Sequence, residues 1–183
     1  MRIKKEETAL LVVDLQEKLV PAMADAQELT RRAVMLMEGL KQFEIPTVVL
    51  RQYPKGLGDV IPAVQEVLGQ YDPMDKLAYS AMQDEAIAKK MQALKAQGIK
   101  NVIVCGVESH ICVLQTCTDL QDCGMQALMV CDAVGSRSGF DKEIAMRRAV
   151  AEGVLLTTVE SILFELCKVA GTAEFKVISK LIV

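Results

Sequence analysis

Short apolar runs rich in β-branched residues alternate along this chain with longer stretches of helical periodicity, and this alternation is its strongest constraint on fold. The strand-like runs are residues 8–14 (Thr-Ala-Leu-Leu-Val-Val-Asp), 45–50, 102–104, 126–131 and 154–158. Residues 71–80 between them are irregular or extended. The helical stretches include residues 29–43, 60–68, 84–97, 142–152 and 161–169, and Gly98 and Gly153 stand where helices commonly stop. Pro62 interrupts the second of these near its start, and residues 175–183 have strand propensity.

The strand runs are apolar on both faces, which fits buried parallel strands covered by helices on each side. A chain of 183 residues with no internal repeat and no low-complexity linker is the size of one domain. The expected fold is therefore α/β: one doubly wound domain over residues 1–183. It has a six-stranded, mainly parallel sheet with helices on both faces, a Rossmann-like three-layer α/β/α arrangement. Right-handed crossovers place all strand carboxyl ends on one edge. That edge collects Asp14, the Pro/Gly-punctuated loop at 51–58, the Cys112 turn and the turn at Asp132. Ligands bind outside the carboxyl ends of such strands.

Cys112 stands in the first turn after a strand-to-helix switch broken by Gly106. The positive end of a helix dipole at that place lowers a thiol's pKa, and Cys112 reads as a nucleophile. Asp14 closes a buried strand, where a carboxylate is either used chemically or tied into a cap or salt bridge. Lys76 alone reads as an ordinary surface lysine. His110 is the one histidine, and two residues along a helix it does not face Cys112. A histidine-rich catalytic metal site is therefore excluded, and no Cys-x-x-Cys pair supports a zinc ribbon or thioredoxin motif. Gly56 and Gly58 match neither a phosphate loop nor a dinucleotide fingerprint.

The net charge of −3 and the lack of a basic cluster give no footprint for nucleic acid. The apolar run 9–13 is far shorter than a membrane span, so no membrane partner is expected. Six cysteines in a core-rich chain point to a reducing, cytoplasmic setting. Apolar residues along the second half, in 154–156, 162–164 and 177–183, predict a homo-oligomer, dimer or larger.

Three segments together resemble the isochorismatase-like cysteine hydrolase superfamily: Leu-Val-Val-Asp14-Leu-Gln16, Asp-Lys76-Leu-Ala-Tyr-Ser80, and Val-Cys-Gly-Val-Glu-Ser-His-Ile-Cys112-Val. Residues 52–58, 132–137, 161–166 and 174–179 look like the isochorismatase-domain-containing branch. The resemblance implies an Asp14–Lys76–Cys112 triad and a non-proline cis peptide at Val107–Glu108. It further implies an oxyanion hole from main-chain amides at Val107, Glu108 and Cys112, and a substrate pocket lined by Gln16, Tyr53 and Tyr79.

The implied activity is hydrolysis of an amide or other C–N bond of a small molecule through a Cys112 thioester, with no cofactor. Members that cleave isochorismate lack this cysteine, so its presence implies a different reaction. Nicotinamidases of the superfamily carry a metal-binding Asp-x-His where this chain reads Arg51-Gln-Tyr53, which implies metal independence. Arg51 stands where the branch often has Glu. A second, non-catalytic reading keeps the fold as an interaction or thiol redox-sensing protein, which would need neither Asp14 nor Lys76.

Overall fold

The computed structural model describes residues 3–182. Its sheet contains β1 (Thr8–Val13), β2 (Thr47–Gln52), β3 (Met74–Lys76), β4 (Asn101–Val107), β5 (Gln126–Gly135) and β6 (Leu155–Thr157). The spatial order is β3-β2-β1-β4-β5-β6, and every pairing is parallel. This is the Rossmann order, and the direction of winding reverses between β1 and β4. The crevice at that reversal lies beyond Val13 and Val107, directly beside Asp14 and the turn that carries Cys112.

Among the described residues eight α-helices accompany the sheet: α1 (Ala26–Lys41), α2 (Pro54–Leu57), α3 (Pro62–Leu68), α4 (Glu85–Ala96), α5 (Leu114–Asp122), α6 (Gly139–Ala151), α7 (Val159–Cys167) and α8 (Ala173–Ile182). Alternate β1 side chains feed two separate cores. Leu10 and Val12 pack with α1, α3, α7 and α8, while Ala9, Leu11 and Val13 pack with α4, α5 and α6. Both faces of β1 and β4 are buried along their whole length, which is why these runs show no polar alternation in sequence.

Several boundaries differ from the sequence expectation. Residues 175–183 read as strand because Val177, Ile178, Ile182 and Val183 are β-branched, yet Ala173–Ile182 is helical. Ile178 is fully buried and Leu181 and Ile182 pack on the same core, so a 3–4 residue spacing overrides local propensity. Val183 lies outside the described residues. Pro62 does not interrupt α3 but begins it, where the missing N–H costs nothing. β2 continues through Arg51 and Gln52, so the loop beyond it starts only at Tyr53. β5 runs on to Gly135, with an irregularity where Val104 and Gly106 of β4 pair with Met129 and Val134. Among the described residues no helix is long and apolar enough to cross a membrane.

Candidate active site

β1 delivers Asp14 to the crevice with its backbone in the left-handed region, φ 52°, which aspartate tolerates better than most residues. β3 is short, but its pairing with β2 sets Lys76 opposite Gln52. The result is a wholly buried ion pair, Lys76 Nζ to Asp14 Oδ2 at 2.7 Å. The lysine that reads as a surface residue in isolation is only 2% exposed. Its ammonium also donates to Gln52 Oε1 at 2.7 Å, and makes longer contacts to the main-chain oxygens of Tyr79 at 3.2 Å and Ala78 at 3.4 Å.

The third residue arrives from β4. The Val107–Glu108 peptide is cis, and Ser109–Val113 then forms a single π-helical turn before α5 begins. Such turns are rare and recur at functional sites. Cys112 occupies this turn at 7% exposure, within the reach of both Asp14 and Lys76. Asp14 Oδ1 is buried and has no hydrogen-bond partner, so one oxygen of the carboxylate holds Lys76 while the other is free to take a proton.

The electrostatics correct the expectation of a thiolate. Burial, followed by the Asp14 charge, pushes the Cys112 thiol up to about 12, outweighing Lys76. Burial also raises the Asp14 carboxyl, against the pull of Lys76. The resting site is therefore a thiol beside an ion pair. Burial makes the Asp14 carboxylate a stronger base, and its charge acts on Cys112.

The remaining expected residues divide. Tyr53 and Tyr79 are 50% and 59% exposed, and the Tyr53 N–H donates to the Lys76 carbonyl. Gln16 is not available to a substrate. It is fully buried, its Nε2 donates to the Gln52 and Gly58 carbonyls, and its Oε1 accepts from the Gln52 N–H. Its amide is consumed in tying β1 to the loop beyond β2. Glu108 is turned toward Arg137, whose Nε donates at 2.9 Å. His110 Nδ1 meets Ser136 Oγ at 3.0 Å, in keeping with a histidine that does not serve Cys112.

Gln52 is the participant that residue reading did not single out. A glutamine at a strand end carries no signature, and only the β2–β3 register brings it to Lys76. Arg51 is engaged by Asp75 at 2.7 Å and Asp59 at 2.9 Å, which fixes the outer edge of the same strands. Among the described residues no three His, Cys, Asp or Glu side chains are grouped to hold a metal ion.

The family model described as "Isochorismatase domain" matches residues 8–161. Isochorismatase domain-containing protein 2 of Danio rerio is 34% identical over 183 residues, covering 99% of this chain and 89% of the relative. The structure of MAR1 ribonuclease from Caenorhabditis elegans superposes with a TM-score of 0.90 at 36% identity, covering 100% of this chain and 92% of that one. YcaC from Pseudomonas aeruginosa, solved with hexane-2,5-diol and covalent acrylamide, gives 0.89 at 25% identity, with 98% and 91% covered.

Proposed function

Because the chain belongs to the isochorismatase family, a membership that supports hydrolase chemistry, we propose that it is a metal-independent cysteine hydrolase. The proposed substrate is a small molecule with an amide or related C–N bond. The observation that carries this reading is the buried, unpartnered Oδ1 of Asp14, in a carboxylate that acts on Cys112 and whose Oδ2 holds Lys76.

In this reading Cys112 Sγ attacks the carbonyl carbon as its proton passes to Asp14 Oδ1. Main-chain N–H groups around Val107, Glu108 and Cys112 receive the oxyanion, each contributing on the order of a hundredfold in rate. Asp14 returns the proton to the departing nitrogen, the C–N bond breaks, and an amine or ammonia leaves a Cys112 thioester. Water, deprotonated by Asp14, then releases the acid and restores the thiol. Lys76 steadies the negative charge throughout, first on the carboxylate and then on sulfur. That YcaC from Pseudomonas aeruginosa is described with covalent acrylamide supports the covalent reading for this chain.

The Caenorhabditis neighbour is described as a ribonuclease. For this chain the net charge of −3, a carboxylate at the centre of the site, and arginines 51 and 137 already paired with acids weigh toward a small uncharged substrate over a polyanion. A thiol-sensing role is weakened by burial, since a sensor needs an accessible, readily ionised thiol and Cys112 is neither. Free thiols at all six cysteines fit the reducing, cytoplasmic location we propose.

The test is an amide panel assayed for a burst of ammonia or amine, with mass spectrometry of Cys112 after rapid quenching. An acyl adduct on Cys112, with turnover retained after exhaustive EDTA treatment, is the expected result. No release from any amide, or activity lost to chelation and restored by a divalent metal, would refute it.

A further inference from the structure

We propose that Gln52 is a positioning residue of this site: its neutral amide holds the Lys76 ammonium against Asp14 without adding a charge. Its catalytic consequence rests on the cysteine-hydrolase reading, whereas the geometry behind it is independent of any reaction.

An ammonium has three N–H bonds to place. Asp14 Oδ2 and Gln52 Oε1 take the two short contacts, both at 2.7 Å, and the carbonyls of Tyr79 and Ala78 share the rest at 3.2 and 3.4 Å. The orientation of the Gln52 amide is set from its other end, where Nε2 donates to the Leu77 carbonyl at 2.8 Å. A flipped amide would aim its NH2 at the ammonium and its oxygen at a carbonyl. The main chain of Gln52 is held in turn by Gln16, which accepts from its N–H at 2.7 Å and donates to its carbonyl at 3.0 Å. Two amide side chains thus run from the end of β1 to β2 and on to Lys76.

A neutral group at this place follows from the charge count. Asp14 and Lys76 are the charged groups that act on Cys112, and together they sum to zero around a neutral thiol. During attack negative charge develops on sulfur and then on oxygen, and Lys76 is the cation beside it. A carboxylate at position 52 would accept the same hydrogen bond but divide the lysine's charge between two acids. It would thereby disfavour ionisation of Cys112.

The experiment compares Gln52→Glu and Gln52→Met with the wild-type chain. Alkylation of Cys112 by iodoacetamide is followed by peptide mapping between about pH 7.5 and 9, with Cys123 as the internal reference. Below the thiol's pKa the rate follows the thiolate fraction, so a rise of one unit lowers it about tenfold at each pH. Gln52→Glu should lower the Cys112-to-Cys123 ratio about tenfold or more. Gln52→Met, which removes the acceptor and adds no charge, should lower it a few-fold. A structural role alone predicts the opposite sign, because a loosened cleft exposes Cys112 and raises the ratio. An unchanged or increased ratio in both variants overturns the proposal, and if Gln52→Glu does not fold, Gln52→Met decides alone by the same criterion. A falling ratio in a chain that hydrolyses no amide would sink the hydrolase reading and leave the positioning role standing. An unmoved ratio in an active enzyme would do the reverse.

Discussion

Gly106 of β4 packs so tightly on Val13 of β1 that a side chain at position 106 would overlap the Val13 main-chain carbonyl. The two residues are register partners, and Gly106 has φ +122°, a conformation open to glycine alone among common residues. Asp14 follows Val13 and the Cys112 turn follows Gly106, so this close approach of two backbones is what sets the acid beside the thiol.

Gly106→Ala should accordingly be among the most damaging single-methyl changes in the chain. The clash is with backbone, which cannot move aside as a side-chain tip would, and the positive φ adds its own penalty. A loss of roughly 3 kcal/mol or more is expected, about 10 °C in Tm for a chain of this size. Thermal unfolding within two or three degrees of wild type would show that β1 and β4 can separate without cost.

The buried thiols give a pH dependence with a definite sign. Cys105, Cys112 and Cys117 are each pushed up to about 12, with burial the first cause in every case. In the unfolded chain a thiol ionises near its ordinary value of about 8.5. Between that value and about 12 the folded state keeps protons that the unfolded state has released. The stability each thiol contributes is therefore complete below about pH 8.5 and declines as pH rises, by about 1.4 kcal/mol per unit. Urea denaturation at pH 8, 9 and 10 should show a steep alkaline decline, shallower in Cys105→Ala than in wild type. Parallel slopes would mean that Cys105 does not retain its proton on folding.

The same shift governs reactivity. In the free protein at pH 7, iodoacetamide should modify half-buried Cys123 faster than Cys112, since the Cys112 thiol is both protonated and 7% exposed. Cys112 outrunning Cys123 at that pH would restore the resting thiolate that a helix N-terminus alone suggests.

The sheet was readable because β1 and β4 are apolar on both faces, and that pattern has few alternatives. Its carboxyl edge, and with it the placing of Asp14 and the Cys112 turn, followed from handedness. Lys76 was not readable from its own surroundings, because a three-residue strand leaves almost no periodic trace. Only likeness to a family motif pointed to it. Gln52 heads a stretch that resembles the same branch, but that likeness assigns it no role, since its role comes from strand register, and Gln16 sat in the motif while its amide turned inward. The Cys112 titration misled for a physical reason: a helix dipole is visible in sequence, whereas burial and the Asp14 charge that outweigh it are properties of the packed site.

Assembly is the next prediction. Leu155 and Leu156 lie on the outermost strand, β6, each 39% exposed, with one edge paired to β5. Exposed leucines on a sheet edge invite strand pairing unless something covers them. A dimer or larger assembly is expected by light scattering at micromolar concentration, and Leu155→Lys/Leu156→Lys should shift it toward the 20.0 kDa chain mass. A wild-type monomer would end this proposal, and an unshifted oligomer would move the interface elsewhere.

The Asp14–Lys76 pair allows charge and chemistry to be separated. Both side chains are wholly buried, so either single neutralisation strands the other charge out of water. Asp14→Asn and Lys76→Met should each cost roughly 3–5 kcal/mol. The double variant carries no stranded charge, so it should be distinctly more stable than the two single losses predict in sum. Catalysis should not follow stability. With Asp14→Asn there is no carboxylate to take the Cys112 proton, and restoring the fold with Lys76→Met supplies none. Turnover per folded molecule should stay at background in both single variants and in the double, and at a similar level in Cys112→Ser, because groups acting as a unit fail together. Measuring urea unfolding and kcat on the same preparations tests both halves. A double variant that regains activity along with stability would make Asp14 and Lys76 a structural pair and remove the proposed base from the mechanism.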